Sequence, residues 1–193
     1  MFTQEIFIDD NVISIELQNQ IQELLEDSFF PWFLCRHKNL TATPEEYQYY
    51  KNITKNLFEY TQLTHNFVSN ETINSNFIDL PLLLFQTVST AYNFNSKIIR
   101  IKANLCPRVN IENIDAHQTP HVDSNHNHWV MIYYVNDSDG DTFLFDSDNV
   151  TVKQRISPKK GRIIVFNGKV LHAGMHPRNC DYRMVINFNF IKI

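Results

Sequence analysis

The sequence predicts a mainly β fold, an antiparallel sandwich or barrel, with an α-helical N-terminal part. Three observations predict it. Apolar residues follow a helical period in the first half and a period of two from about Lys97. Seven short stretches rich in Val, Ile, Phe or Tyr then succeed one another without an intervening helical segment, which excludes a parallel βαβ sheet. All four glycines, Gly140, Gly161, Gly168 and Gly174, lie in this second half at apparent turns or strand ends. A chain of 193 residues suits a single domain over 1–193, mainly helical over 1–96 and β over 97–193.

Each element has its own signal. Ser14 caps a first helix whose apolar residues Leu17, Ile21, Leu24 and Leu25 fall on one face, and Pro31 closes it. Thr43-Pro44-Glu45-Glu46 is a capping box with proline in the first helical position, opening a second helix that runs to about Tyr60. A third runs from near Asp79 to about Tyr92, apolar on most sides as a helix packed under a sheet would be. Strands are expected at 97–105, 128–135, 141–146, 150–156, 161–167, 169–173 and 182–192. Asn167-Gly168 predicts a two-residue hairpin, because a type I′ turn needs positive φ at both positions.

Composition narrows the function classes. Hydrophobic residues at 43% and charged residues at 20% exclude disorder and low complexity. No stretch approaches 18 consecutive apolar residues, and MFTQEIFIDD lacks the basic and apolar regions of a signal peptide. A soluble, cytoplasmic protein without a membrane segment is therefore expected. Cys35, Cys106 and Cys180 include no close pair, which argues against a disulfide framework or a thiolate zinc site. The net charge of −4 is unevenly laid out, since 151–193 carries nine basic residues and one acidic residue, Asp181. A basic tail for nucleic acid is one reading. Basic residues interspersed with strand formers favour an ordinary mixed-charge surface instead, and the acidic balance argues against a nucleic-acid partner. Oligomeric state is not legible.

Six of the eight histidines fall between 117 and 176. His121-Val122-Asp123 sets an imidazole and a carboxylate two residues apart, on one side of an extended chain. His172, on a later strand, can come back across the sheet as a third ligand. Two imidazoles and a carboxylate suit a facially open Fe(II) site, and zinc accepts the same donors. His176, four residues on, is the rival to His172; it precedes Pro177, which favours a turn. Arg183 opens the last apolar strand, where a buried guanidinium needs a carboxylate partner and the strand itself has none. Its alternative is solvent beside Asp181. Asn187 and Asn189 share the Arg183 face, as if lining a polar cavity.

From about residue 97 to its end the chain resembles the Fe(II)- and 2-oxoglutarate-dependent dioxygenases, most closely their prolyl-hydroxylase-like branch. HVDSNHNHWVMIYYVNDSDGDTFLFD looks like that branch's run from His-x-Asp through a Tyr-Leu-Asn strand to a glycine turn. ISPKKGRIIVFNGKVLHAGMHPRNCDYRMVINFNF looks like its closing part, with Pro-Lys-x-Gly-Arg, His-x-Gly and an arginine on the last strand. The resemblance implies a double-stranded β-helix (jelly roll, cupin-like) with helices packed on one sheet. It implies that His121, Asp123 and His172 bind Fe(II), that Arg183 pairs with the C5 carboxylate of 2-oxoglutarate, and that Tyr134 donates to the same carboxylate. Asn187 joins the co-substrate pocket by its place on the Arg183 face. O2 would be the second co-substrate and hydroxylation the outcome. The primary substrate is a peptide or small molecule, and the branch suggests a peptidyl proline. Two departures are Gly140-Asp141 in place of Gly-Gly, and Asn104-Leu105-Cys106 where relatives often have a tyrosine. A cupin-like metal- or small-molecule-binding protein without oxygenase activity is the alternative, against which Arg183 and Tyr134 count.

Overall fold

The structure, a computed structural model, describes residues 5–35, 44–58 and 60–193. Among these described residues, eleven strands and three helices follow one another as β1 (Ile6–Asp9), α1 (Ile15–Glu26), β2 (Phe33–Cys35), α2 (Pro44–Ile53), β3 (Gln62–Ser69), β4 (Thr72–Ile73), α3 (Asp79–Ala91), β5 (Ser96–Pro107), β6 (Trp129–Tyr134), β7 (Thr142–Phe145), β8 (Val152–Ile156), β9 (Ile163–Asn167), β10 (His172–Gly174) and β11 (Tyr182–Lys192). Every pairing between these strands is antiparallel. The large sheet runs β1-β9-β6-β11-β5-β3-β2, with β4 beside β3, and the small one runs β10-β7-β8. A lone bridge between His121 and His172 adds a fourth position to the small sheet. From β5 onward the chain visits the large sheet at β5, β6, β9 and β11, and the small one at His121, β7, β8 and β10. That crossing pattern is the double-stranded β-helix.

Helices α1 and α3 lie on the outer face of the large sheet. Ser14 Oγ accepts from Leu17 N at 3.3 Å, and α1 buries Leu17, Ile21 and Leu25. Helix α3 presses Phe85 onto Phe188 and Phe190, with ring centroids 5.6 and 5.1 Å apart. Strand β11 alternates strictly: Met184, Ile186, Phe188 and Phe190 join this apolar core, while Arg183, Val185, Asn187 and Asn189 face into the barrel. No helix among the described residues is long and apolar enough to cross a membrane.

Four expectations need correction. The N-terminal half is less helical than its pattern predicts, because β1 pairs with β9 on one edge of the large sheet while β3 and β2 extend the other. Helix α1 stops at Glu26, well before Pro31, where the Asp27 carboxylate accepts from Phe29 N at 2.7 Å and turns the chain out. Helix α2 stops at Ile53 instead of Tyr60, and the Thr54 hydroxyl accepts from Asn56 N at 3.0 Å; its predicted cap, Thr43, lies outside the described residues. Asn167-Gly168 is not a hairpin, since β9 and β10 belong to different sheets and Gly168 has no positive φ. A Cβ on Gly168 would sit 2.4 Å from the His128 ring, so a close approach, not a left-handed turn, requires glycine there.

Candidate active site

His121, Asp123 and His172 meet at the mouth of the barrel, with one ligating atom from each within 4.8 Å of the others. The backbones of His121 and His172 exchange two hydrogen bonds of 3.0 Å, which fixes the spacing of their side chains. His121 Nδ1 lies 2.9 Å from Thr119 O and His172 Nδ1 3.3 Å from Val170 O. Each carbonyl accepts the Nδ1 proton, which leaves both Nε2 lone pairs free. The two Nε2 atoms lie 4.0 and 3.6 Å from the Asp123 carboxylate. Burial pulls the His172 pKa down to about 4, so its ring is neutral and ligand-ready at physiological pH.

Asp123 is held by the sheet beneath it. Arg100 on β5 donates to Oδ1 at 2.5 Å, and the amides of Asn187 and Asn189 on β11 each donate to Oδ2 at 2.9 Å. Burial alone would raise the carboxyl pKa. Arg100 above all, with the two imidazoles and Asn189, instead holds it well below the usual carboxylate range. Asn187 is therefore placed on the carboxylate, where it orients the side chain, and it lies several residues along β11 from Arg183.

A second cluster sits further along the same inward face. Arg183 is 4% exposed, points away from solvent and Asp181, and donates to Thr142 Oγ1 at 2.9 Å. Tyr134 donates to the same oxygen at 2.7 Å, and the guanidinium lies 5.7 Å from the Tyr134 ring centroid. Burial raises the Tyr134 pKa, keeping the phenol a donor. Arg183 Nε is buried without a partner, and no carboxylate of the described residues pairs with this guanidinium. The pocket is close around it: a Cβ on Gly140 would come 2.9 Å from Arg183 Cδ. Asp141, at the second glycine position of the resemblance, has no positive φ and pairs with Arg155 on β8.

His176 does not join the triad. Its Nδ1 lies 2.8 Å from Pro107 O, near Cys106 and the Arg183 end of the pocket. His128 packs on Gly168, and His117 lies against Phe143 and Phe145. Sequence reasoning missed Arg100 and Thr142. Neither carries a local signal, because each acquires its role only from a strand it does not adjoin in sequence.

The donor set fits a divalent metal. His172 Nε2 is buried without a partner, and three donors gathered on one side leave the other coordination positions open. Residues 109–191 match the family model of the 2OG-Fe(II) oxygenase superfamily. No curated protein sequence matches the chain. Among solved structures, an oxidoreductase of the 2OG-Fe(II) oxygenase family from Burkholderia pseudomallei superposes with a TM-score of 0.68 at 10% identity, over 96% of this chain and 84% of its own. A Trichoplax adhaerens prolyl hydroxylase, in complex with a hypoxia inducible factor oxygen degradation domain peptide fragment, gives 0.64 at 13% identity, over 98% and 84%. A Pseudomonas putida prolyl-4-hydroxylase gives 0.59 at 11%, over 99% and 94%. These likenesses show the shared jelly-roll fold. Over its residues 109–191 the chain is similar to the 2OG-Fe(II) oxygenase superfamily.

Proposed function

We propose that the protein is an Fe(II)- and 2-oxoglutarate-dependent hydroxylase acting on a prolyl peptide. The observation that carries this reading is the placement of the His121-Asp123-His172 cluster and the Arg183-Thr142-Tyr134 cluster along one inward face of the barrel. The first cluster would hold the iron and the second the distal carboxylate of 2-oxoglutarate. Iron, when bound, supplies the redox chemistry that activates O2. The protein's own residues do the rest. Val170 and Thr119 fix the imidazole tautomers, Arg100 keeps Asp123 ionised, and Asn187 and Asn189 stop the carboxylate from turning. Arg183 and Tyr134 give a dicarboxylate two buried donors and select it over a monocarboxylate. The apolar residues Val130, Ile132, Ile164 and Phe166 shut water out from the barrel side.

Prolyl hydroxylases among the similar folds support proline as the target, one of them holding a peptide. The test is formation of succinate that needs Fe(II), 2-oxoglutarate and O2 together, and that rises when a proline-containing peptide is added, with one oxygen atom gained by the peptide in mass spectrometry. Succinate formation indifferent to every prolyl peptide would remove proline from the reading and leave the oxygenase. For the metal, His172→Ala should lose Fe(II) and His176→Ala keep it; the reverse would move the third ligand.

A further inference from the structure

Arg183 has a neighbour that the hydroxylase reading does not use. Its register partner on β5 is Cys106, so the two side chains leave adjacent strands on the same inward face, with Cβ atoms about 4.5–5.5 Å apart. The row continues to Gln62 of β3, whose Oε1 accepts from the Cys106 thiol at 3.6 Å. Cys106 is buried, whereas the other two thiols, Cys35 and Cys180, are half-buried. A buried thiol and a buried guanidinium therefore share one wall of one pocket. The guanidinium is the part of that wall that calls for a ligand: Arg183 Nε is buried without a partner, and no carboxylate of the described residues pairs with it.

The two groups together define the ligand. A guanidinium selects a carboxylate. A thiol is a soft nucleophile that adds to a double bond activated by a neighbouring carbonyl group. An α,β-unsaturated dicarboxylate meets both demands, and in the symmetrical case each alkene carbon is activated by one of the two carboxylates, so either end can go to Arg183. His176 lies beside the pair. Its Nδ1 donates to the carbonyl of Pro107, the residue after Cys106, which leaves the lone pair on Nε2 to receive a proton. Burial opposes ionisation of the thiol most strongly, but the His176 ring and then Arg183 outweigh it and hold the Cys106 pKa below the usual thiol value.

We propose that Cys106 is a site of covalent modification by α,β-unsaturated dicarboxylates, which Arg183 captures by one carboxylate and the thiol then retains. The S–C bond forms as the π bond of the alkene breaks. The displaced electron pair ends on the adjacent carbon, which takes up the proton that the thiol gives, so the addition needs neither oxidant nor reductant. The adduct leaves a carboxylate on Arg183 and closes the pocket. The proposal rests on the hydroxylase reading only in calling that pocket the 2-oxoglutarate site.

Peptide mapping by mass spectrometry, on the full chain loaded with Mn(II) and incubated with fumarate or with acrylamide, tests it. Acrylamide undergoes the same addition without a carboxylate and should label Cys35 and Cys180 before Cys106. Fumarate should reverse the order and put the mass of one fumaric acid on Cys106 at least about tenfold faster than on either other thiol, because the anchored alkene reacts as if intramolecular. Bound 2-oxoglutarate should suppress this adduct, and the adduct should abolish 2-oxoglutarate binding even after dialysis. Arg183→Met should slow the fumarate reaction by about tenfold or more. Unaltered acrylamide labelling of Cys35 and Cys180 shows that the variant is folded. Cys106→Ser should release all its fumarate on dialysis. No fumarate adduct at Cys106, one order of labelling for both reagents, or an adduct undiminished by bound 2-oxoglutarate would overturn the proposal. So would folded Arg183→Met reacting as fast as the wild type. Succinate formation separates the two readings: an Arg183-dependent adduct in a protein that makes no succinate keeps the modification site and breaks the oxygenase reading, whereas succinate from a protein whose Cys106 stays unmodified breaks the proposal alone.

Discussion

The two faces of β11 are both buried and do opposite work. Toward the helices, Met184, Ile186, Phe188 and Phe190 are each 0% exposed and lie in the largest apolar cluster. Toward the barrel, Arg183, Asn187 and Asn189 are 4%, 8% and 2% exposed, and they bind each other's neighbours through charge-assisted and amide hydrogen bonds. Alternation in a strand is usually read as inside against outside. Here it separates two interiors. One interior is almost wholly apolar and stabilises the chain; the other gathers unpartnered buried atoms at His172, Arg183 and Asn187, groups that a bound ligand would satisfy. Substitutions on the two faces should therefore fail in different assays.

The largest effect is expected on the apolar face. Phe188→Ala removes a side chain packed against Phe85 and should cost about 3–5 kcal/mol of stability, measured by urea unfolding. The fraction that remains folded should bind metal and 2-oxoglutarate as the wild type does. A loss below about 1 kcal/mol, or a change of ligand affinity without a change of stability, would erase the distinction between the faces.

Arg183→Ala is the counterpart five residues away. A ligand carboxylate would be left desolvated and unpaired, so 2-oxoglutarate affinity should fall by about two to three orders of magnitude while metal binding persists. Pyruvate, lacking a distal carboxylate, should bind weakly to the wild type and lose little. Equal 2-oxoglutarate affinity in both proteins, by calorimetry, would detach Arg183 from the co-substrate. A smaller effect belongs to Asn189→Leu, which removes one of the two amides on Asp123 Oδ2. Loss of such an orienting donor typically lowers metal affinity about 10–100-fold. Competition with a chelating dye would read it, and an unchanged affinity would show that Arg100 and Asn187 suffice.

The same two faces explain how much of the molecule was legible in its sequence. Strands β5 to β11 were readable because one of their faces is strongly apolar and the period of two survives, as in Arg183-Met184-Val185-Ile186. Strand β3 was not, because five of its eight residues, among them Gln62, Thr64 and His65, are buried and no alternation remains. Strands β1 and β2 are short edge strands whose partners lie more than a hundred and about thirty residues away. At the site, His121, Asp123, His172, Arg183 and Tyr134 could be named because their spacing resembles a known pattern. Arg100 could not: in Ile98-Ile99-Arg100-Ile101-Lys102 it reads as the solvent side of a half-exposed strand. Only the closed barrel turns that side inward and puts Asp123 against it.

Arg100 has a structural double at the rim, and the pair gives the finest test. Arg162 reaches Asp10 with Nε at 2.6 Å and a terminal nitrogen at 3.0 Å, and Lys159 adds a contact of 2.9 Å. These bonds tie the end of β1 to β9, but the carboxylate touches no ligand position and its side chain is 23% exposed. The Arg162 hydrogen bond, helped by Lys159 and opposed by partial burial, holds the Asp10 carboxyl below the usual range. A depressed folded pKa contributes stability above the unfolded value, about 3.9, and that contribution is lost as pH falls through the folded value. Asp10→Asn should therefore cost about 1 kcal/mol at pH 7, given solvent screening. The deficit should be the same at about pH 5 and shrink steadily below about pH 4. Metal and 2-oxoglutarate affinities should not move, in contrast to any change at Arg100. Urea unfolding of both proteins across that range checks it. A deficit undiminished at about pH 3, or a loss of metal affinity, would mean that the rim pair and the site pair are coupled through β9 and β6, and that the division between the stabilising and the binding interior is not as sharp as β11 makes it.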